Sequence, residues 1–112
     1  MNDRDLSCLR YMYDFAKRIE RRIAGVTLEN FLEDYDIQDS IIYAVGQIGE
    51  FANKISKETQ NKHQNIFWHE LVGIRNRVFH SYGDVNMRII YNVAATNTPQ
   101  LIKQLENIEG VM

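Results

Sequence analysis

The 112-residue sequence has one cysteine, one proline and no run of the eighteen or so apolar residues that a bilayer-crossing helix needs. A lone Cys8 cannot close an intramolecular disulfide and lacks the partners of a zinc site, so it reads as a small buried hydrophobe in a reducing compartment. The amino terminus MNDRDLSCLR has no apolar signal core; the expected location is cytoplasmic, with no membrane contact. A basic excess is also missing. Thirteen Lys and Arg stand against fifteen Asp and Glu, a net charge of −2, so any nucleic-acid contact has to come from local charge placement. No segment alternates apolar and polar residues long enough for a strand, and no internal repeat is visible. His63 and His69 have no cysteine or carboxylate partners at zinc-ligand spacing and read as exposed helix or loop residues. The acidic group Glu29, Glu33, Asp34, Asp36 and Asp39 does not match a calcium loop; it serves capping and solubility or docks a basic partner. Neither a metal nor a cofactor is expected.

What is present is helical periodicity. Leu6, Leu9, Met12, Tyr13, Ala16, Ile19 and Ile23 recur at three- and four-residue steps between Asp5 and Ala24, with Gly25 as terminator. Thr27 precedes a short second helix containing Leu28, Phe31 and Leu32. A third, capped by Asp36 or Asp39, presents Ile41, Ile42, Val45, Ile48, Phe51, Ala52 and Ile55 and ends near Lys57. The polar stretch SKETQNKHQN reads as a solvent-facing, mobile connection. IFWHELVGIRNRVFH is apolar around much of a helix and is expected to touch more than one neighbour. Gly83 and Asp84 break it, and Asp84 or Asn86 caps the next helix through Ile89, Ile90, Val93 and Ala94. Thr98 before Pro99 has the form of an N-cap with proline at the first helical position, ahead of Leu101, Ile102, Leu105 and Ile108; alternatively the last two segments are one helix bent at Pro99. The expected fold is all-α, one domain over residues 1–112, an up-and-down bundle of about four to six helices.

The stretch GIRNRVFHSY, Gly73 to Tyr82, collects two arginines, an asparagine, a histidine and a tyrosine. Residues seven apart on a helix nearly coincide in direction, so Arg75 and Tyr82 share a face, whereas Arg75 and His80 diverge by roughly 140°. Either the helix ends near His80 or the two side chains work across a groove shared with a second copy, where Gly73 allows close approach. Cleavage of an RNA phosphodiester needs a base for the ribose 2′ proton, an acid for the leaving oxygen and positive charge on the phosphorane. Imidazoles exchange protons near neutral pH, which makes His80 the candidate acid or base. Arg75 offers a planar fork for phosphate, Asn76 can orient the imidazole or donate to phosphate, and Tyr82 can bond phosphate or stack on a base. The competing reading is structural: these polar groups cap the helix carboxy terminus.

RNRVFHSY, with the form R-x-x-x-x-H-x-Y, resembles the signature of the HEPN superfamily and specifically of HepT-like toxins. NDRDL near the start, QDSIIYAVGQIGE, Trp68, GDVNMRIIYNVA and TPQLIKQLENI also look like that family, in order, across nearly the whole chain. The resemblance implies a HEPN-like, homodimeric, metal-independent endoribonuclease, the toxin of a type VII-like HepT/MNT toxin–antitoxin pair acting on RNA such as tRNA or mRNA. By position, Arg75, Asn76 and His80 take the catalytic places. Tyr82 takes that of the tyrosine to which an MNT-type nucleotidyltransferase antitoxin transfers AMP. Ser81 departs from the glycine or charged residue common in the family.

Further candidates surround this motif. Lys17 with Arg21, and Arg18 with Arg22, at four-residue spacing, and Arg77 within the motif, are candidate RNA-binding residues; a solvated helix face is the alternative. Glu50 either faces the motif and pairs with Arg75 or lies free on the surface. Gly46 and Gly49 are unfavourable inside a helix by up to about 1 kcal/mol each, and a dimer partner packed against them is the expected compensation. From another functional class comes a catalytically weak helical module that binds nucleotide or protein partners.

Overall fold

A computed structural model describes residues 1–112 apart from the side chain of Tyr82. The helices are α1 (Asp3–Ile23), α2 (Leu28–Glu33), α3 (Tyr35–Lys54), α4 (Lys57–Lys62), α5 (Trp68–His80), α6 (Met87–Asn92) and α7 (Thr98–Glu106). A 3-10 turn, Tyr82–Asp84, follows α5, and a π-helical segment, Val93–Asn97, joins α6 to α7 without a break. No strand occurs among the described residues. Among the long helices, α1 packs on α3, α3 on α5 and α7 on α1, and the all-α expectation holds.

Helices α1, α2, α3, α4 and α6 each start where a short polar side chain satisfies orphan amides, whereas α5 and α7 have no side-chain cap. Asn2 accepts from the Asp5 N–H, Thr27 from Asn30, Ser56 from Thr59, and Asn86 from Arg88 and Ile89. The cap of α3 is Asp34, whose carboxylate accepts from the Ile37 N–H, rather than Asp36 or Asp39. Because α2 ends at Glu33, Asp34 closes one helix and opens the next, which places the boundary earlier than the apolar stripe suggests.

The core is one apolar cluster. Leu9, Met12, Ala16 and Ile19 of α1 meet Ile41, Val45, Ile48 and Ala52 of α3, with Leu101, Ile102 and Leu105 of α7. Cys8 lies within it, and burial pushes its thiol up from the ordinary range.

One buried group is charged. Asp5, 1% exposed, accepts from the hydroxyls of Ser56 at 2.5 Å and Thr59 at 2.6 Å, from the Ser56 N–H at 3.0 Å and from Asn2 at 3.3 Å. Burial raises its carboxyl, but the four donors together outweigh that and hold it below the usual value. The segment expected to be a mobile loop is therefore anchored: Ser56 starts α4, and Thr59 is buried against α1. Its lack of apolar residues hid an attachment made through hydroxyls.

Around Pro99 the two carboxy-terminal segments form one continuous helix. Proline lacks the N–H for an α-helical bond and its ring crowds the preceding turn; the helix widens to π geometry just before it. Thr98 is helical and does not cap forward. Its N–H and its hydroxyl, at 2.9 Å, both reach back to the Val93 carbonyl.

The α3–α5 contact is set by two glycines. A Cβ at Gly46 would lie 2.7 Å from Cε1 and Cζ of Phe79. At Gly49 it would overlap Cβ of Arg75 and lie 2.5 Å from the Leu71 carbonyl oxygen. Both glycines thus serve an intrachain contact with α5, and the expectation that a dimer partner fills them is corrected. α5 packs chiefly on α3, and Phe67 and Phe79 are 59% and 42% exposed.

Two stability outcomes follow from these contacts. Asp5→Asn replaces an acceptor of four donors with a group whose amide opposes one of them, and urea unfolding at neutral pH should show a loss of about 1–3 kcal/mol. The lowered carboxyl contributes stability above its unfolded value of about 4 and loses it as pH falls through the folded value. The gap between wild type and variant should accordingly shrink below about pH 4. Gly49→Ala should be destabilised by about 1–3 kcal/mol because backbone-anchored atoms must move. Gly46→Ala, opposed only by the partly exposed Phe79 ring, should lose much less in the same measurement.

Candidate functional site

α5 begins at Trp68, whose indole N–H donates to the His63 carbonyl at 3.0 Å, and it turns Leu71, Arg75 and Phe79 toward the glycines of α3. Arg75 is thereby brought beside Glu50. Its Nε donates to Glu50 Oε2 at 3.1 Å, Nη2 to Oε1 at 3.3 Å, and Nη1 to Asn76 Oδ1 at 2.6 Å. The sequence left Glu50 open between a surface position and a partner for Arg75; the structure places it against Arg75, both side chains less than one-third exposed.

This geometry changes what Arg75 can offer. A guanidinium has five N–H donors. The fork made by Nε and Nη2, expected to grip phosphate, is taken by Glu50, and one Nη1 donor by Asn76. One N–H on each terminal nitrogen remains, so an anion is met end-on, by a group that cannot swing freely. Asn76 orients Arg75 instead of the imidazole, and its amide N–H groups are turned away from that bond.

His80 is the last residue of α5, exposed, and makes no hydrogen bond or ion pair among the described residues. Asn76 and Arg77 are exposed beside it, and a Cβ at Gly73 would meet nothing within 4 Å. This face of α5 is open, while Arg75 leans the other way onto α3. Ser81, at φ −143° and ψ 45°, ends the helix, and its N–H bonds the Arg77 carbonyl. The helix therefore stops before Tyr82, and whether Arg75 and Tyr82 share a face lies outside the described residues. The expectation that Tyr82 is a modification site therefore rests on its place in the motif alone.

The candidate RNA-binding cations are divided. Lys17 is paired with Glu20 at 2.8 Å, near the α1–α7 contact where Tyr13 donates to Glu106. Arg18, Arg21 and Arg22 line a separate concavity between α1 and α3, in which Arg18 pairs with Asp14 at 2.7 Å. Arg77 stands apart on α5.

Sequence reasoning missed the aromatic cluster bordering that concavity. Tyr11 and Phe51 stack at 4.7 Å, and Phe15 lies 6.1 Å from Tyr43 and 6.3 Å from Phe51. The signal was there. Tyr11, Phe15, Arg18 and Arg22 recur at helical steps, as do Tyr43, Gln47, Glu50 and Lys54, but each set shares its helix with a stronger apolar stripe.

No group of three metal-ligating side chains exists among the described residues, and no helix is long and apolar enough to cross a membrane. Comparison with known proteins gives a match to the family model described as Ribonuclease HepT-like over residues 12–108. A Caldanaerobacter subterraneus protein named "Putative RNase" is 32% identical over 89% of this chain and 89% of its own. One from Thermococcus cleftensis named "Probable ribonuclease HepT" is 28% identical over 88% of this chain and 92% of its own. A Methanocaldococcus jannaschii protein also named "Putative RNase" is 26% identical over 88% and 84%. No solved structure matches the chain. The family match across residues 12–108 means that the chain belongs to the HepT-like ribonuclease family.

Proposed function

We propose that the protein is a metal-independent endoribonuclease whose catalytic groups are Arg75, Asn76 and His80, working in a cleft between two copies of the chain. The observation that carries this is the pairing of an oriented arginine with an open histidine: Arg75 is fixed by Glu50 and Asn76, while His80 stands exposed at the end of the same helix. Within one chain the two point apart, so a second copy opposing α5 is the natural way for both to address one phosphate. The uncovered apolar surface of Phe67 and Phe79 supports such a contact.

In this reading an imidazole takes the ribose 2′ proton, the 2′ oxygen attacks phosphorus, and the leaving 5′ oxygen receives a proton from a second acid. The His80 of the opposing copy is suited to that second role. The end-on donors of Arg75 stabilise the charge on the nonbridging oxygens.

The biological setting proposed is that of a toxin silenced by an MNT-type nucleotidyltransferase that transfers AMP to Tyr82. An adduct two residues from His80 fills the cleft and supplies Arg75 with a competing anion. A catalytically weak nucleotide- or protein-binding module is the alternative class, and the first experiment below separates the two.

Unmodified protein, its mass confirming no adduct, should cut purified RNA in excess EDTA, and His80→Ala should be at least about a hundredfold slower. Equal cutting by both, or none by either, would remove the proposal. Tyr82→Phe should retain cleavage yet resist silencing when incubated with the nucleotidyltransferase and ATP, as read by intact mass and residual cutting; full silencing of this variant would exclude Tyr82 as the target.

A further inference from the structure

Where α1 lies against α3, two sets of side chains face one another: Tyr11, Phe15, Arg18 and Arg22 of α1, and Tyr43, Phe51 and Lys54 of α3. The rings are not buried as a core would bury them. Tyr11 is 54% and Tyr43 58% exposed, although each takes part in a chain of ring contacts through Phe15 and Phe51. Cations lie over this chain at both ends. The Arg18 guanidinium is 4.7 Å from the Phe15 ring centre, and the Lys54 ammonium is 5.3 Å from that of Phe51. Arg21 and Arg22 complete the rim of the adjoining concavity, and both are exposed without an ion pair among the described residues.

We propose that this face is a binding platform for single-stranded RNA, on which bases stack against Tyr11 and Tyr43 while Arg18, Arg21 and Arg22 hold the backbone phosphates. The proposal rests on the ribonuclease reading above and adds to it the substrate form and where the strand lies. Base stacking needs open ring faces with cations at the margin, which is the arrangement found. The fifteen residues of α3 from Ser40 to Lys54 run roughly 21 Å, room for several nucleotides. The platform also adjoins the catalytic residues, since Phe51 follows Glu50, the residue that grips Arg75. A strand lying on the aromatic face therefore needs to cross only α3 to reach the motif.

The charge argues for RNA over a second copy of the chain. Homodimer cores are depleted of charge, and a two-fold contact here would set the three arginines of one copy against the same patch on the other, where Arg18 alone of the three has an ion-pair partner among the described residues, Asp14. A polyanion removes that conflict.

The test uses a short fluorescein-labelled 2′-O-methyl oligoribonucleotide of mixed sequence, which lacks the attacking hydroxyl and so is not consumed. Affinity is read by anisotropy across a salt series, alongside sedimentation and thermal melts of each protein. Arg21→Gln/Arg22→Gln should weaken binding about tenfold or more and flatten the salt dependence by about one to two phosphates. Tyr43→Ser should weaken it about fivefold to a hundredfold with the salt slope unchanged. Both should cut RNA more slowly at subsaturating substrate, in step with their loss of affinity, and a fully paired duplex should bind the wild type more weakly than the single strand. Unchanged affinity in both variants, with wild-type cleavage intact, would overturn the platform and leave the ribonuclease reading standing. So would a duplex bound as well as the single strand. A shift in sedimentation at unchanged RNA affinity would also overturn it and assign the face to a second copy. Wild-type protein that neither binds nor cuts RNA would remove both.

Discussion

The close approach of α5 to α3 is the constraint on which the candidate site depends. Two glycines one helical turn apart remove the side chains that would hold the helices at an ordinary distance, and Arg75 and Phe79 occupy the room. That spacing lets Glu50 grip Arg75 through two hydrogen bonds in place of a loose surface contact. The same contact explains the open side of α5. A helix that packs on one neighbour buries one face, so Asn76, Arg77 and His80 stay exposed while Arg75 is turned inward. Orientation of the arginine and availability of the histidine are thus two results of one packing decision.

The rest of the bundle keeps α3 in place. At one end the buried Asp5 carboxylate ties the first turn of α1 to the residues that end α3 and begin α4, through donors from both backbone and side chain. Its charge is tolerated because those donors replace the water it loses. At the other flank, the π segment before Pro99 lets the carboxy-terminal helix continue and keep Leu101, Ile102 and Leu105 in the core. Neither device touches the motif, yet both fix the helix against which the motif is set.

Charge is distributed with the same division of labour. Overall the chain is slightly acidic, so its field does not attract RNA at long range. Lys17 is neutralised locally by Glu20 and does not line the concavity of the neighbouring arginines. Arg18, Arg21 and Arg22 gather beside aromatic rings, and Arg75 lies on the other side of α3. Short-range placement gives a weakly acidic protein two separate positions suited to phosphate.

The helices other than α4, the fold class and the residues of the motif were legible in the sequence, because periodicity and the types of side chain are properties of the chain itself. Thr27 and Asn86 could be read as caps for the same reason, and Glu50 as a possible partner of Arg75. What depended on distance between helices could not be read. The anchoring of the Ser56 segment by Asp5 is decided by contacts between residues far apart in sequence, while the Asp34 cap is a local contact that the apolar stripe masked and the end of α5 at His80 was one of two alternatives the sequence left open. The sequence by itself determined which faces were apolar and which residues carried chemistry. Only the tertiary structure decided that Gly46 and Gly49 serve α5 and that the fork of Arg75 belongs to Glu50, because a stripe on a helix specifies a direction to be covered and not the neighbour that covers it.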